Sequence, residues 1–557
     1  MNITKLNDCE IFDTWSFQPG NLHNFRSGVG LFDQCNDFEH EDIFGKYCNA
    51  IFLTQNIKNN NTEHKTIGDI DLREILFKFF NSDDKAPGKT YKMGICVPKS
   101  CSSKDLYELS KQYDVNKIAT IKSFECIEPP SMNSFDGFAL SVLLLIIFLN
   151  VGSTLCQILF EKLGKPSKLL SIFSIKTNFE RLMRRNESNS AIGCIDALKA
   201  LSAFWIMFGH RSQRFAYSYE ENSQWWSYLL EKLIGRYQKG VITFFACSAI
   251  LVTISLLRDL NSSNLPQFLV SGPEIGGLIY RTNLCRKGWL PYLTLTQNYC
   301  KALQYCLSYT WYLSTDFQLF YSTPLIVYCI WKLKAKAFVV FPMLIVLLQV
   351  FKYYRMFISV DDNISLYVST EYRLGQYMIG ILTGYIIYDR NDLKFRASNV
   401  KIAIAWILTT FFFCDTFFNF KLPNILPLDR IYKVIKDDLW SCSICWIVFA
   451  CHCLKSGGIF RSFLSHYSWQ PLSRMCLSIY LVHYQYVLLT KINQKQNISY
   501  GKWWKLHIQL GDVMMCTIIS AVFHLFVEAP GIQLVSLLWR RQKRSYQNIK
   551  NLPESHE

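Results

Sequence analysis

Apolar runs of helix length dominate the chain from Ala139 onward, whereas the residues before them are mixed and polar. The run at 139–160 (ALSVLLLIIFLNVGSTLCQILF) carries no charged residue. It is long enough, at 1.5 Å per residue, to cross a hydrocarbon layer about 30 Å thick. Nine more runs follow, at 194–210, 240–257, 311–331, 337–353, 374–389, 400–418, 437–454, 471–491 and 509–528, the 437–454 run being short. The pattern predicts an all-α polytopic membrane bundle of about ten helices. Its divisions are an N-terminal extracytoplasmic domain (1–136), a first membrane helix (137–160), a basic cytosolic linker (161–190), a membrane domain (191–539) and a basic cytosolic tail (540–557).

Basic residues orient the spans, because Lys and Arg concentrate in cytosolic loops. Lys162, Lys165, Lys168, Lys176, Arg181, Arg184 and Arg185 follow the first run, which places the N-terminal domain outside. The clusters Lys332–Lys336, Lys394 with Arg396, Lys455 with Arg461, and Arg540–Arg544 agree with one another as inside loops. Parity fails in one place. The third span returns inside near Arg258, yet the span that opens at Trp311 must start outside. No convincing span lies between them, since Phe268–Tyr280 is short and contains Pro273 and Glu274. A crossing is therefore missing from the chain, or a poor segment is forced across.

Composition agrees with a membrane protein: 50% of residues are hydrophobic, 15% aromatic and only 18% charged, against roughly 25% charged in soluble domains. The net charge of +16 sits in loops beside apolar runs and needs no nucleic-acid partner. Among 20 cysteines, Cys9, Cys35, Cys48, Cys96, Cys101 and Cys126 fall in the polar N-terminal region. Six cysteines in a turn-rich segment predict an exported disulfide framework with its pairing open. Glycosylation acceptors are expected at Asn60, Asn363 and Asn497, which places the protein in the secretory pathway, at the plasma membrane or endoplasmic reticulum. The first twenty residues hold no signal core, so either the first membrane helix exports the domain or the true start lies upstream; the second is favoured. Cys442-x2-Cys445 and Cys451-His452-Cys453 lie within one apolar run rather than on loops suited to zinc, so no metal is expected. No phosphate-binding glycine loop or serine-nucleophile motif stands in proper context.

The chemistry concentrates in Gly193–His210, a helix apolar enough for a bilayer that nonetheless carries Lys199 and His210. Eleven residues apart, they return to within about 20° on one face, roughly 16 Å apart along the axis. Ionisable groups inside a membrane helix face the bundle interior and mark function more often than not. Imidazole titrates near pH 6.5 and suits proton transfer. Lys199 offers a point charge for phosphates, without the bidentate fork of arginine. Asp316, beside Trp311 and Tyr312, reads either as a site group or as part of an interfacial aromatic belt. Arg373 precedes Gly380-x3-Gly384, a spacing of close helix packing. His483 is a lone membrane histidine. His524 stands four residues before Glu528 and is expected to pair with it.

Together, these elements resemble the nose-resistant-to-fluoxetine family, the animal branch of the acyltransferase-three membrane proteins. The resemblance rests on Gly45-Lys46-Tyr47-Cys48, Gly94-Ile95-Cys96-Val97-Pro98-Lys99-Ser100-Cys101-Ser102, the linker Leu170–Ser174 leading to Asn178, and a basic residue ten positions before His210. It continues through Thr310-Trp311-Tyr312-Leu313-Ser314-Thr315-Asp316-Phe317-Gln318, Tyr372-Arg373, Ser473-Arg474, Ile479-Tyr480-Leu481-Val482-His483 and Glu528-Ala529-Pro530. It implies an acyltransferase-like membrane domain that passes an acyl group from a cytosolic donor, acyl-CoA, to a hydroxyl acceptor. His210, Lys199 and Asp316 are then the catalytic candidates. Trp311, Tyr312, Arg373 and His483 are the substrate-binding candidates. No cofactor is bound, and membrane lipids and a small-molecule or lipid substrate are the expected partners.

The chain departs from that family at two places. Val241-Ile242-Thr243-Phe244-Phe245-Ala246-Cys247-Ser248-Ala249 has Ile242 and Ala249 where the family has Asp and Gly. Leu257-Arg258-Asp259-Leu260 runs almost directly into Phe268-Leu269-Val270-Ser271-Gly272-Pro273, so an arginine-rich loop and its helix are absent where parity also fails. Three readings stay open: an acyltransferase, a non-catalytic protein that moves lipids or hydrophobic small molecules, and a receptor-like protein whose exported cysteine domain binds a partner.

Overall fold

The computed structural model describes residues 27–28, 35, 39–40, 43–54, 90–112, 119–126, 134–164, 167, 169–186, 192–214, 232–255, 291, 294–299, 308–333, 336–357, 367–389, 398–418, 426–454, 456–493 and 502–537. The expected disulfide partner Cys9, the sequons at Asn60, Asn363 and Asn497, Cys285, Cys300, Cys306 and the tail 540–557 lie outside them.

The N-terminal domain is built on a sheet, which the alternation of its short polar segments did not announce. Strands β1 (Ser27–Gly28), β2 (Glu39–His40), β3 (Ile43–Thr54), β4 (Thr90–Pro98) and β5 (Ala119–Cys126) form it. The long β3 pairs antiparallel with β4, β2 and β5. Cys48 faces Cys126 across the β3–β5 ladder, and the two are joined. Cys35 is joined to Cys96 and packs on Tyr47 in the buried centre. Cys101 is disulfide-bonded as well. Helix α1 (Ser103–Gln112) starts on a reciprocal cap: Ser102 Oγ accepts from the Asp105 amide at 3.2 Å while Asp105 Oδ2 accepts from the Ser102 amide at 3.0 Å.

Helix α2 (Ser134–Lys162) opens the bundle, followed by the short α3 (Leu170–Phe173) and α4 (Ile175–Met183). Then come α5 (Gly193–Arg214), α6 (Gln238–Ser255), α7 (Trp311–Leu333), α8 (Ala337–Phe357), α9 (Thr370–Asp389), α10 (Asn399–Phe418) and α11 (Leu426–His452). The short α12 (Gly458–Leu464) and α13 (Trp469–Arg474) lead to α14 (Cys476–Ile492) and α15 (Lys502–Phe523), which continues through a π-helical turn at His524–Glu528. Four helical stretches, at Gly137–Lys162, Ala337–Phe357, Asn399–Phe418 and Leu506–Leu537, are long and apolar enough to cross a bilayer, and only 6–22% of each is buried. They form the lipid-facing rim. Among the described residues most buried polar groups lie on the helices between them, while Asn150, Lys352, Asp415 and Asp512 point inward from the rim helices themselves.

Two predicted spans change shape. The 437–454 run is the second half of α11, extended N-terminally because Asp437 and Asp438 find buried cations. The 471–491 run breaks at Met475: Arg474 turns aside to hydrogen-bond the carbonyls of Arg181 and Leu182 at the end of α4. The basic linker is thereby docked. Thr154 accepts from the Ile175 amide, the Gln470 side chain accepts from the Asn186 amide, and Lys176 pairs with Glu161 at 2.8 Å. That carboxylate holds the Lys176 ammonium above its ordinary range.

Helix directions test the parity directly. Positions Gly380 and Gly384 on α9 meet Ala246–Ala249 and Ile250–Thr253 on α6, rising together, so α6 and α9 run parallel. Thr315 bonds the Val368 carbonyl and Thr323 bonds Tyr377, so α7 runs parallel to α9 as well. Among the described membrane helices, consecutive ones otherwise alternate, and α6 and α7 share a direction. Ser255 therefore ends α6 beside the Asp389 end of α9, whereas Asn298 bonds Thr370 at its opposite end. The described chain thus leaves α6 at one end of the bundle and is found again at Asn298 at the other, which agrees with the charge count.

Candidate functional site

Helix α5 is the spine of the site. Gly209 lies so close to the next element that a Cβ there would stand 2.1 Å from the Tyr237 ring. The segment carrying Tyr237 is pinned by Trp205, whose indole donates to the Leu233 carbonyl at 2.7 Å. These two features set Tyr237 against His210, ring centroids 5.0 Å apart. From α14, His483 approaches the same imidazole to 5.4 Å, and Tyr484 meets it edge-on at 5.4 Å. His210 thus points into the bundle.

His483 is 2% exposed. Its Nδ1 lies 3.1 Å from the Ile479 carbonyl one turn back, and its Nε2 is buried with no hydrogen-bond partner. Tyr309 stacks on Tyr484 at 4.6 Å, gives its hydroxyl to the Leu481 carbonyl, and offers its own carbonyl to the Tyr480 hydroxyl. Tyr480 then meets Tyr312 at 5.5 Å, and Tyr312 meets Phe245 at 4.8 Å. A column of aromatic rings runs down from the histidine pair.

At the foot of the column lie Asp316 and Lys199. Asp316 lies near Ser248 and in the field of Lys199, and its Oδ1 is buried without a hydrogen-bond partner. Among the described residues Lys199 forms no ion pair within 4 Å. The three catalytic candidates are therefore divided, with His210 at one level and Lys199 with Asp316 below it.

Arg373 belongs to a second cluster that joins the column from the side. It is 1% exposed, lies over the Tyr367 ring at 4.4 Å and the Trp311 ring at 5.8 Å, and donates to Asp437 at 3.2 Å. Asp437 also pairs with Lys239 at 2.9 Å, and the adjacent Asp438 pairs with Lys352 at 3.1 Å. Trp311, one of the substrate-binding candidates, presents its ring to Arg373. Lys239, Lys352, Asp437, Asp438 and Tyr237 were missed in the sequence. Their signal was available: two adjacent carboxylates opening an apolar run, and a lysine at the rim of each of two others.

Three local expectations take physical form. A Cβ on Gly380 would stand 2.6 Å from Ala249 Cβ, so the small-residue spacing serves close packing. His524 Nδ1 pairs with Glu528 at 2.8 Å across the π turn, and Ser478 bonds the same carboxylate. The π turn frees backbone carbonyls, and Asn150 on α2 donates to that of Phe526 at 3.0 Å. Ile242, 2% exposed, fills with a hydrocarbon the place where the resemblance expects a carboxylate.

Comparison with known families agrees with this architecture. Residues 192–524 match the family described as "Acyltransferase domain", and residues 4–110 match "Nose resistant-to-fluoxetine protein, N-terminal domain". No curated protein matches the chain, and no solved structure does. With more than half its length in the first family and its N-terminal region in the second, this chain belongs to the nose-resistant-to-fluoxetine acyltransferase-three family of integral membrane proteins.

Proposed function

We propose that the protein transfers an acyl group from acyl-CoA, taken up at the basic and cytosolic end of the bundle, to a hydroxyl acceptor, with the cysteine-rich domain on the opposite side of a secretory-pathway membrane. The observation that carries this reading is the inward setting of His210 against Tyr237, His483 and Tyr484, three turns along α5 from Lys199. His210 takes the acceptor's hydroxyl proton as the new oxygen–carbon bond forms at the thioester carbonyl. The carbon–sulfur bond breaks, and the departing thiolate takes up that proton as free CoA thiol. Lys199 holds donor phosphates as a point charge. General-base removal costs roughly 10²–10⁴-fold in rate. Labelled acyl-CoA supplied to membranes bearing parent protein or H210A tests this; equal turnover removes His210 from the mechanism.

One observation favours a second reading. Ile242 buries an alkyl chain where the family has a carboxylate, and a carrier of lipids or hydrophobic small molecules tolerates that exchange. A parent protein that moves a fluorescent lipid across vesicles while showing no labelled acyl product supports the carrier.

A further inference from the structure

We infer that His483 is the docking point for the acceptor, and that the acceptor is a neutral lipophilic alcohol that donates a hydrogen bond to His483 Nε2. The role given to this ligand rests on the acyl-transfer reading; the hydrogen-bond preference does not.

The tautomer follows from its neighbour. The Ile479 carbonyl can only accept, so the Nδ1 atom 3.1 Å away carries the proton. Nε2 is then a bare acceptor, buried and without a partner. Leaving such an atom unpaired is unfavourable, and native structures rarely do so without cause. The nearby hydroxyls do not supply the proton. Tyr309 gives its own to Leu481 and Tyr480 gives its own to Tyr309, although their rings lie 6.0 and 5.8 Å from the imidazole. What is missing is a donor from a ligand, at the face shared with His210.

The surroundings select its chemistry. A carboxylate or phosphate would bring lone pairs against a lone pair. An ammonium would arrive without a counter-charge, because no carboxylate reaches His483 among the described residues. Met207, Val482 and Cys516 make the adjoining core apolar. A hydroxyl on a hydrocarbon body satisfies all three conditions, and placing it at Nε2 sets the same oxygen beside the His210 ring.

The test uses the full chain in phosphatidylcholine nanodiscs. The probes are hexadecanol carrying a mid-chain diazirine and its methyl ether, which has the same shape and no donor. Labelled peptides from α5 and α14 are quantified by mass spectrometry. The parent is expected to take up the alcohol about tenfold more efficiently than the ether, the scale of one buried hydrogen bond. H483F, which fills the space without an acceptor, brings the ratio to about one, and H483Q retains part of it. The parent comparison needs no variant, so a misfolded H483F does not void the test. Equal labelling by alcohol and ether, or a preference that survives H483F, overturns the assignment. Alcohol preference without acyl transfer overturns the catalytic reading and leaves this subsite standing; acyl transfer without alcohol preference does the reverse.

Discussion

Neutralising Asp437 removes the anion that Lys239 and Arg373 share. The two contacts are 2.9 and 3.2 Å, and the Arg373 side chain is 1% exposed. At an effective dielectric near 20, each attraction is about 5–6 kcal/mol, and desolvation of the ions offsets most of that sum. The substitution does not return to the starting balance, because both cations stay buried after the carboxylate has gone. Removing one member of a buried pair costs roughly 3–5 kcal/mol, which at about 2–4 °C per kcal/mol lowers the melting midpoint by about 6–20 °C. D437N and parent, heated in detergent and assayed for monodisperse protein by fluorescence-detected size exclusion, measure the shift. K433A is the control. Lys433 and Asp429 stand 2.7 Å apart, but their side chains are 53% and 46% exposed, so the pair contributes less than about 1 kcal/mol. Adding K239M to D437N removes one of the stranded cations and recovers part of the loss. If D437N melts within about 2 °C of the parent, the five-member charge cluster does not hold the bundle together and the account of α11 is wrong.

Two other expectations follow from packing and covalent chemistry. G380L drives a side chain into Ala249 and the Ala246 carbonyl, 2.6 and 2.9 Å from the Cβ position, and is expected to abolish monodisperse protein; G511L, with open space around it, is expected to leave the yield unchanged. Peptide maps of unreduced protein should show Cys35–Cys96 and Cys48–Cys126, and C48S should cost 2–5 kcal/mol and lower secretory-pathway yield. Quantitative alkylation of Cys48 in native, unreduced protein would contradict this.

The bundle was legible because lipid-facing helices must be apolar along their length, and α2, α8, α10 and α15 announce themselves by composition alone. The site was legible in part for the opposite reason. Lys199, His210, Arg373 and His483 interrupt apolar runs, and an interruption that costs free energy in a membrane advertises its purpose. What sequence could not supply was company. Nothing along the chain says that His483, 273 positions after His210, shares its ring face. The pairing of Asp437 with Lys239 and Arg373 is equally invisible, because the cations stand on α6 and α9. The sheet in the N-terminal domain escaped because β3 is buried on both faces at its centre, at Tyr47, Cys48, Asn49 and Ala50, which erases the alternation that marks a half-buried strand.

The shared direction of α6 and α7 bears on the chemistry as well as the topology. A helix pair that fails to alternate requires the connection between them to traverse the bundle, and residues 256–296 are numerous enough to cover about 30 Å in helical or extended form. The family resemblance places an arginine-rich loop and a helix in that stretch, at the basic end where α6 finishes. On the acyl-transfer reading Lys199 is the cation on α5 assigned to an anionic donor. Asp316 stands in its field, so the ammonium is already partly answered before any phosphate arrives. On that reading, donor binding should therefore be weak and strongly salt-dependent in this chain, while the proposed acceptor side at His210 and His483 is unaffected. Restoring two arginines immediately after Arg258 ought to lower the apparent KM for acyl-CoA while leaving the alcohol preference at His483 unchanged. A restored chain whose donor affinity did not move would break the link between the absent arginines and weak donor binding.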